Sequence, residues 1–134
     1  MKRNLLIALA LKYDGEYFKI RKAIENGEKV MPLFRDDCIT IFDDNYPDAF
    51  KNLAYPPYVI FYRGNLELLE KEAIAVVGSR DCSKYSILAT NGLIKKHQDK
   101  VIVSGLAKGI DYYAHLNAKN RIGILGCGID YYYP

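Results

Sequence analysis

Two kinds of apolar patterning divide the chain. Through residues 4–26 apolar positions recur at helical spacing, with Leu5, Ala8 and Leu11 first and Phe18 and Ile24 later. Asp14-Gly15 interrupts the run, so the spacing predicts a helix that breaks there and stops at Asn26-Gly27. Residues 28–45 read as loop, with a short strand over 38–42. Tyr46-Pro47 opens a helix over 48–53, and Tyr55-Pro56-Pro57 is a stiff extended breaker, because proline fixes its own φ and restricts the residue before it. The β-branched and aromatic stretch 58–63 predicts a strand, Gly64-Asn65 a turn, and 66–70 a helical turn.

From Ala73 the pattern changes. Ala73-Ile74-Ala75-Val76-Val77 is continuously apolar, as a strand buried on both faces would be. Gly78-Ser79-Arg80 ends it, and Ser83 can cap a helix over about 84–97. Residues 101–103 repeat the buried-strand pattern, 104–109 form a tight loop, and a third helix runs to about Lys119. A third strand over 121–125 is closed by Gly126-Cys127-Gly128. The order βαβαβ is the first half of a doubly wound sheet. The expected class is therefore α/β, a Rossmann-like parallel sheet with a short α-rich N-terminal extension, divided as 1–38 and 39–134.

Composition changes this picture in a few places. The 134 residues, half of them hydrophobic, suit one globular core. Residues 1–72 hold 11 Lys/Arg against 12 Asp/Glu, whereas 73–134 hold 8 against 4, so the positive balance travels with the glycine motifs. Cys38, Cys82 and Cys127 form no Cys-x-x-Cys pair, which argues against zinc, and the odd, scattered set fits a reducing cytoplasm. The apolar run after Met1-Lys2-Arg3 ends at Lys12, too short for a membrane span and without a cleavage site.

Three successive strands end in glycine, at Gly78, Gly105 and Gly126. Ligands of parallel α/β sheets sit at the carboxyl ends of strands, where free N–H groups of the following helices favour anions. Gly78, Ser79, Arg80, Ser104, Gly105, Ala107, Lys108, Gly109, Gly126 and Gly128 are the candidate phosphate-binding residues. Arg80 supplies a guanidinium for bidentate contact and Lys108 a mobile cation inside the second loop. Asp111 caps the third helix or orients a basic side chain, and His115, one turn on, reads as its packed partner rather than an acid–base residue. Tyr112, Tyr113 and the tyrosines at 131–133 are packing residues first and stacking candidates second. Dinucleotide and Walker A fingerprints are absent: Tyr131 stands where the third glycine of GxGxxG belongs, and Gly105 lacks the spacing to Gly-Lys-Ser/Thr.

Ala75-Val76-Val77-Gly78-Ser79-Arg80, the stretch from Val103 to Asp111 with Ala114-His115, and Leu125-Gly126-Cys127-Gly128-Ile129-Asp130 with Tyr133-Pro134 together resemble the DprA (Smf) family of DNA-processing proteins. Tyr46-Pro47 and the stretch from Pro57 to Asn65 add to the likeness. The resemblance implies a non-enzymatic, cytoplasmic, single-stranded DNA-binding protein without a cofactor. It also implies a role in natural transformation and recombination, with RecA recombinase and a second copy of the chain as partners. It places Arg80 and Lys108 on the DNA backbone. Ending at Pro134, the chain reads as truncated after the third Rossmann strand, which bears on RecA loading and dimerisation. The rival readings are a nucleotide-binding or nucleoside-phosphate-hydrolase-like protein of the LOG type, whose Pro-Gly-Gly-x-Gly-Thr stretch is missing here, and an inactive fragment.

Overall fold

The computed structural model describes residues 2–125, and these divide into two compact units that meet in sequence at Gly64 and Asn65. The family-like stretch expected from residue 39 therefore begins inside the first unit.

The first unit opens with α1 (Arg3–Lys12) and α2 (Tyr17–Glu25). The break falls where it is expected, with Asp14 at φ 52° and Gly15 at φ 74°. Glu16 restarts the helix, its carboxylate accepting from the N–H groups of Phe18 and Lys19. Leu6, Leu9 and Ala10 of α1 pack with Ile20 and Ala23 of α2 to make the core of this unit. Each such leucine or isoleucine contributes about 1.5–3 kcal/mol relative to exposure. Strands β1 (Cys38–Thr40) and β2 (Val59–Phe61) pair antiparallel, with Cys38 opposite Phe61, and α3 (Asp48–Lys51) lies between them in sequence. Arg3 ties α1 to the β1 region: its guanidinium donates to both carboxylate oxygens of Asp43 (3.0 and 3.1 Å) and to the carbonyls of Arg35 and Cys38 (3.2 and 3.0 Å).

After a 3-10 turn (Leu66–Glu70) the second unit lays down β3 (Ala73–Ala75), α4 (Lys84–Lys96), β4 (Val101–Gly105), α5 (Ile110–Asn117) and β5 (Asn120–Ile124). The strands are parallel in the order β3-β4-β5, the Rossmann-like βαβαβ unit expected from the apolar runs. Spatial order follows chain order, so both crossovers step the same way across the sheet, and α4 and α5 pack against each other. There Val76, Ile94, Ile102, Ile110 and Ala114 form the core.

Two expectations are corrected. The run 73–77 is not buried on both faces: Ile74 and Val76 point to the core, whereas Ala73, Ala75 and Val77 are exposed, Val77 at 76%. An unbroken apolar run reports hydrophobicity, not how many faces of the sheet are covered. Ser104 and Gly105 belong to strand β4 rather than to the following loop, because they continue the ladder against Gly123 and Ile124.

Candidate functional site

The loops after β3 and β4 are fastened to each other by the backbone. Gly109, at φ 80°, brings its Cα so close to the carbonyls of Ser79 and Arg80 that a β-carbon would overlap both. The next residue, Ile110, donates its N–H to the Ser79 carbonyl at 3.1 Å. Gly78 approaches the Ile110 side chain equally closely, since a β-carbon there would lie 2.6 Å from Cγ1. The Ser79 hydroxyl shapes the first loop, donating to the Asp81 carbonyl (3.0 Å) and accepting from the Asp81 N–H (3.1 Å). Glycine is needed at 109 for its left-handed backbone and at 78 for room.

Ser104 is buried, and its hydroxyl donates to the Val76 carbonyl, joining the ends of β3 and β4. The hydroxyl that sequence reasoning offered to a ligand is thus engaged inside the sheet. His115 points its Nε2–H at the Ser104 carbonyl (3.2 Å), a helix-to-strand bond. Asp111 is 92% buried in the first turn of α5, where a negative charge suits the helix dipole. Its carboxylate lies over Gly105, whose β-carbon would stand 2.8 Å from Oδ2, and Oδ1 has no hydrogen-bond partner among the described residues.

These loops surround an open cavity of about 510 Å³ lined by Arg80, Asp81, Cys82, Ile87, Leu106, Ala107, Lys108, Gly109, Tyr112, Tyr113 and His115. Arg80 and Lys108 are exposed, and neither is paired with a carboxylate among the described residues. Asp81, adjacent to Arg80, engages the Ser79 hydroxyl through its backbone and forms no ion pair with Arg80. Tyr112 and Tyr113 meet edge to face, centroids 5.2 Å apart, with Tyr112 53% exposed.

Of the candidates named from sequence, Arg80, Ala107, Lys108 and Gly109 line one cavity. Gly78, Ser79, Ser104 and Gly105 do not line it; they take part in fastening the loops and strand ends that carry it. Gly126 and Gly128, with Cys127 and the tyrosines at 131–133, lie outside the described residues. Cys82, Ile87 and Leu106 were not anticipated as lining. For Cys82 the signal was its place two residues after Arg80, and for Ile87 its place on the first turn of α4. Among the described residues no group of side chains is arranged to hold a metal ion, and no helix is long and apolar enough to cross a membrane.

Residues 37–134 match the family model of DNA recombination-mediator protein A. DNA processing protein DprA of Streptococcus pneumoniae is 43% identical over 124 residues, covering 88% of this chain and 42% of the relative. The X-ray structure of a DprA from the same species superposes with a TM-score of 0.68 at 31% identity, over 98% of this chain and 56% of that one. DNA processing protein A of Helicobacter pylori, whose structure concerns its single-stranded DNA binding mode, gives a TM-score of 0.64 at 33% identity over 72% of this chain and 46% of that one. The chain thus spans less than half the length of the pneumococcal protein it matches in sequence.

Proposed function

The chain belongs to the DNA recombination-mediator protein A family, and from this premise we propose that it binds single-stranded DNA by its phosphates across the loops that follow β3 and β4. The observation that carries the reading is the pair Arg80 and Lys108, two exposed cations on one cavity without a carboxylate partner among the described residues. Arg80 would grip phosphate oxygens bidentately and Lys108 would act as a point charge. Ala107 would lie against the strand, and Gly78, Ser79, Ser104, Gly105 and Gly109 would hold the two loops that carry the cations; Gly126 and Gly128 are proposed as further contacts from the sequence alone. Phosphate contacts position a strand without reading its bases, so the binding is expected to be indifferent to sequence. The proposed action is binding rather than catalysis, supported by His115 being tied to a main-chain carbonyl. Delivery of the bound strand to RecA in natural transformation, by a cytoplasmic homodimer, completes the proposed role.

Fluorescence anisotropy with an oligothymidine of about 20 nucleotides tests the site, and each lost phosphate contact should lower the log–log salt slope by about 0.7. Arg80→Ala with Lys108→Ala should remove most binding, and Lys95→Ala in the last turn of α4 should change little. Both cations are exposed, so thermal unfolding should be unaltered within about 0.5 kcal/mol. A double variant that binds with the parent's affinity and slope would overturn the assignment.

A further inference from the structure

The first unit carries an aromatic cluster that the glycine-loop site does not use. Tyr17 stacks on Tyr58, with centroids 4.9 Å apart and planes 15° from parallel. Phe18 and Tyr55 pack at its margin, 4.9 Å from each other and each 5.3 Å from Tyr17. The outer two rings are open to solvent, Phe18 at 53% and Tyr55 at 56%. Burial and the hydrogen bond with Tyr17 push the Tyr58 hydroxyl up to about 12, as suits the inner ring of the stack.

The charges around the cluster are not balanced. Glu16 is engaged in capping α2, and Glu25 is paired with Arg21 at 3.0 Å. Lys19 and Lys22 on the same helix have no carboxylate partner among the described residues. Lys22 follows Phe18 by four residues and so stands beside it on the helix surface. Open rings bordered by uncompensated lysines match a ligand with flat apolar faces and a negatively charged backbone, which describes an unpaired nucleotide strand better than a peptide.

We propose that Phe18 and Tyr55 form a second contact for single-stranded nucleic acid, stacking a base while Lys22 meets the adjoining phosphate. The inference rests on the reading of the chain as a single-stranded DNA-binding protein, yet it is separable from the glycine-loop site. In the full chain, Phe18→Ala with Tyr55→Ala should weaken oligothymidine binding about tenfold, the contribution of one modestly stacked base, while leaving the salt slope unchanged. Lys22→Ala should instead lower the slope by about 0.7. Phe18→Tyr with Tyr55→Phe should restore affinity. Binding left in the Arg80→Ala, Lys108→Ala chain should vanish when the ring changes are added. In the unaltered chain, the ring resonances of Phe18 and Tyr55 should move upfield on titration, which requires no variant to fold. If the chain binds no oligothymidine, the proposed function falls and this inference with it. If it binds but the ring variant keeps the parent's affinity and the ring resonances stay still, this inference alone is overturned. Ring shifts caused by a proline-rich peptide and not by the oligothymidine would likewise overturn it.

Discussion

The two units solve the same problem with different materials. In the first, polar and charged side chains hold distant segments together: Arg3 reaches Asp43 across forty residues, and Lys12 and Tyr13 reach Glu28. In the second, the loops are fastened by backbone contacts that only glycine permits and by the Ser104 hydroxyl, with Lys100–Glu72 an ion pair away from the cavity. The difference leaves Arg80 and Lys108 outside the ion pairs formed among the described residues.

The comparison is broken most directly at Gly109. Gly109→Ala adds a methyl group where two carbonyl oxygens stand and forces a left-handed backbone on a residue that disfavours it. We expect the second unit to lose more than about 3 kcal/mol and oligothymidine binding to fall with it. Urea unfolding followed by circular dichroism measures the loss, and a variant as stable as the parent would show that the loops are held by something else.

A smaller effect is expected in the first unit. Arg3→Met removes the charge but keeps much of the stem, leaving Asp43 without its cation and with the Thr40 N–H as its remaining donor among the described residues, and taking the guanidinium from the Arg35 and Cys38 carbonyls. The site is partly open, so a loss of roughly 2 kcal/mol is expected, between exposed and buried ion pairs. Binding at the glycine loops should persist at temperatures where the variant is folded, which would sharpen the division of labour.

Acid provides the mildest test. The hydrogen bond from Arg35 holds the Asp37 carboxyl below its usual range, and those from Tyr13 and then Lys12 do the same for Glu28. Groups whose folded values are depressed contribute stability that is present above the unfolded carboxylate value, about 4, and is lost as pH falls through the folded value. The melting midpoint of the α1 and α2 amides, followed by NMR, should therefore drop modestly between pH 5 and pH 3. A midpoint flat across that window would remove the carboxylates from the account.

Much of the second unit was legible because its signals are local. Apolar runs of strand length, each closed by glycine, give the βαβαβ order, and Ser83 marks the start of α4 by accepting from the Ser86 N–H. The Asp14-Gly15 break was legible for the same reason. What was not legible depends on residues far apart in sequence. The role of Gly109 arises from carbonyls about thirty residues earlier, and the engagement of Ser104 from the Val76 carbonyl just after β3. Tyr17 and Phe18 meet Tyr55 and Tyr58 only after β2 returns to pair with β1. The exposed face of β3 was hidden because the chain's own composition does not say what lies on each side of a strand.

The close approach at Gly109 also has a meaning for how such a sequence can change over time. Position 109 admits one amino acid, because geometry forbids the rest, whereas the side chains at positions 80 and 108 are exposed and take no part in that contact. Shape and affinity are therefore inherited separately. A lineage can lose its cations one at a time and still inherit an intact platform, ready to be recharged for a different anion.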